Sequence, residues 1–256
     1  MHCVVAVPAR LESSRLPGKV MADIGGKPML QRVLEACSQA KTPQAVVLCT
    51  DSQDLYHRGE EWGFKCIQTS RDCESGSDRL ASVTEQLVHI GGGGIHNTLI
   101  INAQGDQPFL DPAVIDALAT EFASRSPTPQ VITPVYRMKP EKIHNPNVVK
   151  TLLASNGRAL YFSRSAIPHV RGADPEDWPD HATYWGHVGI YGYRADVLLA
   201  WNRLPFSPLE QCEKLEQLRL IEAGIEISTL TVDAETLSVD TAEQLEEARR
   251  IARNQS

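Results

Sequence analysis

The chain has 256 residues and a formal charge of 25 − 32 = −7, enough length for one large α/β domain or two small ones. That balance argues against wholesale binding to nucleic acid or anionic membrane, so any basic site must be local. No apolar run approaches the roughly 20 residues of a membrane span, no secretory signal precedes the first strand, and six cysteines without C-x-x-C spacing suit buried thiols in a reducing cytoplasm.

Cys3-Val4-Val5-Ala6-Val7 is a β-branched apolar run that predicts a buried strand. The loop Pro8 to Lys19 follows, with two prolines, a glycine and the cations Arg10, Arg15 and Lys19. Loops at the carboxyl ends of parallel strands hold ligands, and three cations there ask for an anion, phosphate first. A solvated surface is the competing reading. Gly25-Gly26-Lys27-Pro28 turns into a helix on Met29, Leu30, Val33, Leu34 and Cys37, running to about Ala40. Ala45–Thr50 is a second strand, with Asp51-Ser52 as an N-cap, and Phe64–Ile67 a third. This alternation predicts an α/β fold with a mostly parallel central sheet, Rossmann-like, flanked by helices.

Ser75-Gly76-Ser77-Asp78-Arg79 opens an amphipathic helix on Leu80, Val83 and Leu87. Such a turn presents backbone N–H groups and hydroxyls suited to a base edge or a phosphate; simple capping is the alternative. Neither G-x-G-x-x-G after a strand nor a P-loop is present. Leu99–Asn102 is a fourth strand and runs into Ala103-Gln104-Gly105-Asp106-Gln107-Pro108. Asp106, beside a close-approach glycine, is well placed to hold a divalent cation, with Gln104 in the same crevice; helix capping is the alternative, although Asp111-Pro112 already provides the next helix start.

From 127 to 180 the rhythm changes to strands at Val131–Val135, Pro146–Leu153 and Arg158–Ser163, the last two joined at Asn156-Gly157. This reads as an antiparallel insertion within a single domain spanning 1–256, with a polar loop from Gly172 to Asp180. His187–Tyr193 is a strand with His187, Gly189 and Tyr191 on one face, His187 being a satisfied core residue or a catalyst. A continuous helix is expected from Leu209 to Ala223, buried on Leu209, Cys212, Leu215, Leu218 and Ile221. Glu210, Glu213 and Glu216 would then form a solvated face. Glu226–Leu230 is the last strand, and Val239-Asp240-Thr241 opens a terminal helix with Asp240 or Thr241 as its cap. Together these elements place cations, a base-reading turn and acidic residues at strand-to-helix junctions, an inventory suited to a nucleoside triphosphate with magnesium.

Pro8-Ala9-Arg10 through Lys19, Gly26-Lys27-Pro28-Met29, Gln104-Gly105-Asp106 and Asn145-Pro146-Asn147 resemble the 3-deoxy-manno-octulosonate (Kdo) cytidylyltransferase family. So do Tyr161-Phe162-Ser163-Arg164, His187 through Tyr193, Ser207-Pro208-Leu209-Glu210, Leu215-Glu216-Gln217-Leu218-Arg219 and Val239-Asp240-Thr241. The resemblance covers nearly the whole chain. It implies attack by the anomeric hydroxyl of Kdo on the α-phosphate of CTP, giving CMP-Kdo and pyrophosphate for lipopolysaccharide synthesis. It further implies Arg10, Arg15 and Lys19 at the triphosphate, Ser75, Gly76 and Arg79 at the cytidine, and Asp106 with Asp240 on Mg2+. Gln104, Arg164, His187, Tyr191, Glu216 and Gln217 would line the sugar pocket, Arg164 meeting the carboxylate. A cytoplasmic homodimer joined through the antiparallel strands is implied as well. Gln107 stands where the family usually has Glu, and Asp233–Ser238 replaces a commonly Gly-containing run, so 8-amino-Kdo or another 2-keto sugar acid remains an open acceptor.

Overall fold

The computed structural model describes residues 1–13, 16–233 and 235–255. Its first strand, β1 (His2–Ala9), has Val4 and Ala6 on one face and Cys3, Val5 and Val7 on the other, all fully buried. Residues of alternate parity therefore feed two apolar layers, as expected for a strand covered on both sides. After β1 come α1 (Met29–Ser38), β2 (Ala45–Thr50), α2 (Gln53–Glu61) and β3 (Lys65–Gln68). A short α3 (Gly76–Ser82), α4 (Thr84–Gly91), β4 (Thr98–Asn102) and α5 (Pro112–Ser124) complete the first half. Val83, at φ −124° and ψ 15°, separates α3 from α4, so the expected single helix is two.

The second half begins with β5 (Val131–Arg137), β6 (Lys150–Leu153) and β7 (Ala159–Ser163). It continues with α6 (Trp178–His181), β8 (Trp185–His187), β9 (Tyr191–Arg194), α7 (Ala195–Ala200), α8 (Pro208–Glu213), α9 (Gln217–Glu222), β10 (Ile227–Thr231) and α10 (Ala242–Gln255). These ten strands form one sheet in the order β3-β2-β1-β4-β9-β5-β8-β6-β7, with β10 on β5, and Asp23–Ile24 pairs with Lys27–Pro28 in a separate two-stranded ribbon. The pairs among β3, β2, β1 and β4 are parallel, and those from β4 through β9, β5, β8 and β6 to β7 are antiparallel. The parallel core lies between the two apolar layers, α1 and α5 on one side and α3, α4 and α7 on the other. At the turn expected between β6 and β7, Gly157 takes φ +78° and donates to the Ala154 carbonyl at 2.9 Å. Side chains disfavour that left-handed conformation.

Two local expectations are corrected. The strand through 187–193 is interrupted at Val188–Ile190, where Ile190 N–H donates to Val188 O at 2.7 Å. The Thr133 hydroxyl pins this kink by donating to Ile190 O at 2.7 Å. The helix expected from Leu209 to Ala223 breaks at Lys214, which is left-handed at φ 54°. The break rotates the acidic stripe out of register with solvent. Glu210 is buried and paired bidentately to Arg219 at 2.7 and 2.8 Å, while Glu213 accepts from Ser163 Oγ at 2.6 Å and Arg164 N–H at 2.9 Å. Cys212, expected in the core, is exposed for the same reason, whereas Cys3, Cys37 and Cys49 are buried as free thiols. Among the described residues no helix is long and apolar enough to cross a membrane.

Candidate active site at the carboxyl edge of the parallel strands

β1, β2 and β4 run in the same direction, so their following loops meet at one edge of the sheet, where open α/β folds bind ligands. The approach there is close. A Cβ on Gly105 would lie 3.2 Å from Pro8 O, and one on Gly76 would lie 3.3 Å from Pro8 Cγ and 3.7 Å from Gln104 Oε1. Around this junction opens a cleft of about 330 Å³. Arg10, Lys19, Ser75, Gly76, Arg79, Gln104, Asp106, Glu216 and Asp240 all line it, from five separate parts of the chain. Arg15 lies outside the described residues.

At one end of the cleft Lys19 bridges two carboxylates, with Nζ 2.7 Å from Asp106 Oδ2 and 2.8 Å from Asp240 Oδ1. Burial alone would lower the ammonium's pKa, but both carboxylates outweigh it and hold Lys19 above its ordinary value. A cation therefore already sits between side chains 134 residues apart in sequence (240 − 106). The main chain reinforces the junction, since Val239 N–H donates to Asp106 O at 2.9 Å.

The other wall is the start of α3. Ser75 caps it, its hydroxyl accepting from Asp78 N–H at 3.1 Å. Arg79 is buried behind the turn, its guanidinium bonded to Thr69 Oγ1 and to Asp51 Oδ2, the latter at 3.1 Å. It thus braces the turn with its charge already partnered. The break between α8 and α9 brings Glu216 beside this turn. Burial raises the Glu216 carboxyl above its ordinary pKa, hydrogen bonds from Ser77 and Ser75 act in the opposite sense, and the neighbouring Asp78 charge raises it again.

Beyond Glu216 the surroundings become neutral and aromatic. His187 lies between Phe162 and Tyr191, each with its ring centroid 5.1 Å away, and Tyr191 stacks on Tyr193 at 5.6 Å. Thr133 uses its single hydroxyl proton toward Ile190 O, so it accepts from His187 Nε2 at 3.1 Å. Burial pushes the His187 pKa down to about 3, which keeps the ring neutral. Three buried polar atoms in this part of the molecule have no protein partner: Tyr191 Oη, Gln217 Nε2 and Gln107 Oε1. An unpaired buried group of this kind costs about 1–3 kcal/mol, which a ligand hydroxyl would relieve.

Of the residues expected at the sugar, Gln104 and Glu216 line the cleft, whereas His187, Tyr191 and Gln217 lie beyond its lining and Arg164 is held elsewhere. Its guanidinium donates to Glu213 O at 2.8 Å and Pro146 O at 3.3 Å, fastening the β7 end to α8. Glu12 and Ser13, within the basic loop but given no role there, also line the cleft, as does Cys73. The partner of Arg79, Asp51, was visible in the sequence only as part of a helix cap.

Residues 4–227 match the cytidylyltransferase family. The chain is 41% identical over 256 residues to a 3-deoxy-manno-octulosonate cytidylyltransferase of Chlorobaculum tepidum, covering 99% of this chain and 98% of that one. It is 42% identical over 250 residues to the protein of that description from Polynucleobacter necessarius, covering 97% and 94%. A solved CMP:2-keto-3-deoxy-manno-octonic acid synthetase complexed with CTP superposes over 100% of both chains, with a TM-score of 0.89 and 38% identity.

Proposed function

The chain belongs to the cytidylyltransferase family, and from that premise we infer that it transfers CMP from CTP to the anomeric hydroxyl of Kdo, releasing pyrophosphate, in the supply of activated Kdo for lipopolysaccharide. The observation that carries the chemistry is the carboxylate pair Asp106 and Asp240 closed on one cation at the edge of a cleft. In the reaction a bond forms between the anomeric oxygen and the α-phosphorus, and the bond from that phosphorus to the bridging oxygen breaks. Negative charge collects on the departing pyrophosphate. Catalysis of such a transfer is mainly positioning and charge neutralisation.

The residues divide the work. Arg10 and Lys19 face the triphosphate, with Arg15 assigned there by family resemblance. Gly76, whose missing Cβ leaves room between Pro8 and Gln104, admits the cytidine beside Ser75, and Arg79 holds that turn in place. Gln104, Glu216, Gln217, Tyr191 and His187 receive the sugar, and the unpartnered Tyr191 Oη and Gln217 Nε2 are the groups its hydroxyls would satisfy. Neutral His187 offers hydrogen bonding without a charge.

The donor set also fits Mg2+. Two carboxylates converge at the cleft edge, in the free protein on the Lys19 ammonium. Among the described residues no cluster of three or more His, Cys, Asp or Glu stands ready to cage a metal. That suits an ion that takes one or two carboxylates and completes its shell with phosphate oxygens and water. Asp106 and Asp240 would hold it, and it would supply charge neutralisation at the phosphates. The same reading makes the enzyme a cytoplasmic homodimer joined through the antiparallel strands, where Leu160 stands exposed on the terminal strand β7.

Pyrophosphate release from CTP with Mg2+ and a panel of 2-keto sugar acids tests the assignment. Release is expected with Kdo, and a stronger response to 8-amino-Kdo or a sialic acid would change the acceptor. CTP binding without release on any member would overturn the reading in favour of a silent nucleotide-binding protein.

A further inference from the structure

We infer that Gln244 is a positioning residue for Asp240, fixing the main chain from which one carboxylate of the cation-holding pair is presented. The inference rests on the reading of Asp106 and Asp240 as that pair. The start of α10 carries a reciprocal cap. Gln244 N–H donates to Thr241 Oγ1 at 3.3 Å, and Gln244 Oε1 accepts from Thr241 N–H at 3.0 Å. A capping box needs no more than these two bonds.

Here the glutamine makes a third. Its Oε1 also accepts from Asp240 N–H, at 2.8 Å, the shortest bond of the set and one residue beyond what helix capping uses. The residue before is tied as well, Val239 N–H donating to Asp106 O at 2.9 Å. Val239 is itself fully buried in a small apolar cluster with Ile24, Met29, Leu245, Ala248 and Ala252. Three successive N–H groups, from Val239 to Thr241, are therefore each bonded. One bond reaches the loop of the partner carboxylate, and two converge on the single oxygen of Gln244. These bonds act with the Lys19 bridge between the two carboxylates to hold Asp240 near Asp106, since 232–241 contains no helix or strand among its described residues. Outer-layer groups that orient a ligand carboxylate in this way govern metal affinity without touching the metal.

The test compares Gln244→Ala, Gln244→Glu, Thr241→Ala and Asp240→Ala by thermal melting, by the Mg2+ concentration giving half-maximal turnover, and by Mn2+ titration of the protein–CTP complex followed by electron paramagnetic resonance. Gln244→Ala should raise both metal constants about tenfold while kcat at saturating metal stays within about twofold. Gln244→Glu, which keeps the acceptor oxygen, should restore both constants. Thr241→Ala should lower the melting temperature with a smaller change in the metal constants. If Gln244→Ala lowers only the melting temperature, the residue is a helix cap and the inference fails. If Asp240→Ala keeps protein-bound Mn2+ at wild-type affinity, the carboxylate-pair reading fails instead.

Discussion

The two ends of the site solve opposite problems. The proposed phosphate end, at the edge of the parallel strands, is built from full charges: Arg10 together with Lys19, Asp106 and Asp240, the last three already neutralising one another at 2.7–2.8 Å. The proposed sugar end, beside the antiparallel strands, is built from neutral groups packed ring against ring, with buried hydroxyl and amide atoms left unpaired. A charge that develops during reaction is best met by preorganised ions. A polyhydroxy acceptor is best selected by dipoles that cost free energy until it arrives, because an analogue lacking the matching hydroxyl leaves them unpaired. The contrast teaches where catalysis and selection reside. Substitutions at the phosphate end should strike turnover, and those at the sugar end should strike acceptor affinity.

The largest effect falls on the ions. Asp106→Ala and Asp240→Ala should each reduce kcat on the order of 10³-fold, taking several kcal/mol as the worth of the Mg2+ we propose they hold. Circular dichroism should remain native, since both side chains lie at the cleft rather than in the core. Retention of full activity by either variant would break the comparison at its stronger end. Next in size is Tyr191→Phe. Removing a hydroxyl that accepts and donates nothing in the free protein should leave stability unchanged or raised. The KM for the sugar should rise roughly tenfold with the KM for CTP unaltered, if one hydrogen bond of about 1.4 kcal/mol is lost. A rise in the CTP constant instead would move Tyr191 to the phosphate end.

How much of this was legible in the sequence follows the same division. The parallel core announced itself through Cys3–Val7, Ala45–Thr50 and Leu99–Asn102, short β-branched apolar runs that suggest buried strands. The charged end was suggested by Arg10, Lys19 and Asp106 in loops after such runs, with a solvated surface as the competing reading until the cleft brought them together. The neutral end left no such trace in the residue pattern, and only the family resemblance names His187, Tyr191, Glu216 and Gln217 there. His187 and Tyr191 look like ordinary core residues, Thr133 looks like a strand threonine, and Glu216 was read as one of a solvated stripe. Its burial comes from Lys214 in a left-handed conformation, which no helical periodicity forecasts. Arg164 shows the reverse limit. A guanidinium suits a carboxylate by type, yet the carbonyls of Glu213 and Pro146 claim it. Only contacts distant in sequence decide such cases.

The smallest effect isolates neutrality itself. His187 is held at about 3 by burial, against 6.5 when free. Folded protein therefore binds no proton on this ring at neutral or mildly acidic pH, whereas the unfolded chain takes one up as pH falls through 6.5. The unfolded state binds more protons, so stability falls with decreasing pH. The stabilising contribution is complete above 6.5, is lost progressively below it, and levels off under the folded pKa. At pH 6 the loss is about 1 kcal/mol, steepening toward about 1.4 kcal/mol per pH unit below that. Urea unfolding of the wild type and His187→Gln between pH 5 and 8 reads the difference in slope, which cancels the common contribution of every other group. The variant should show the flatter acid limb, and the wild-type sugar KM should stay level from pH 6 to 8. Parallel limbs would mean that His187 titrates alike in both states, and the sugar end would then carry a charge that its geometry has no partner to meet.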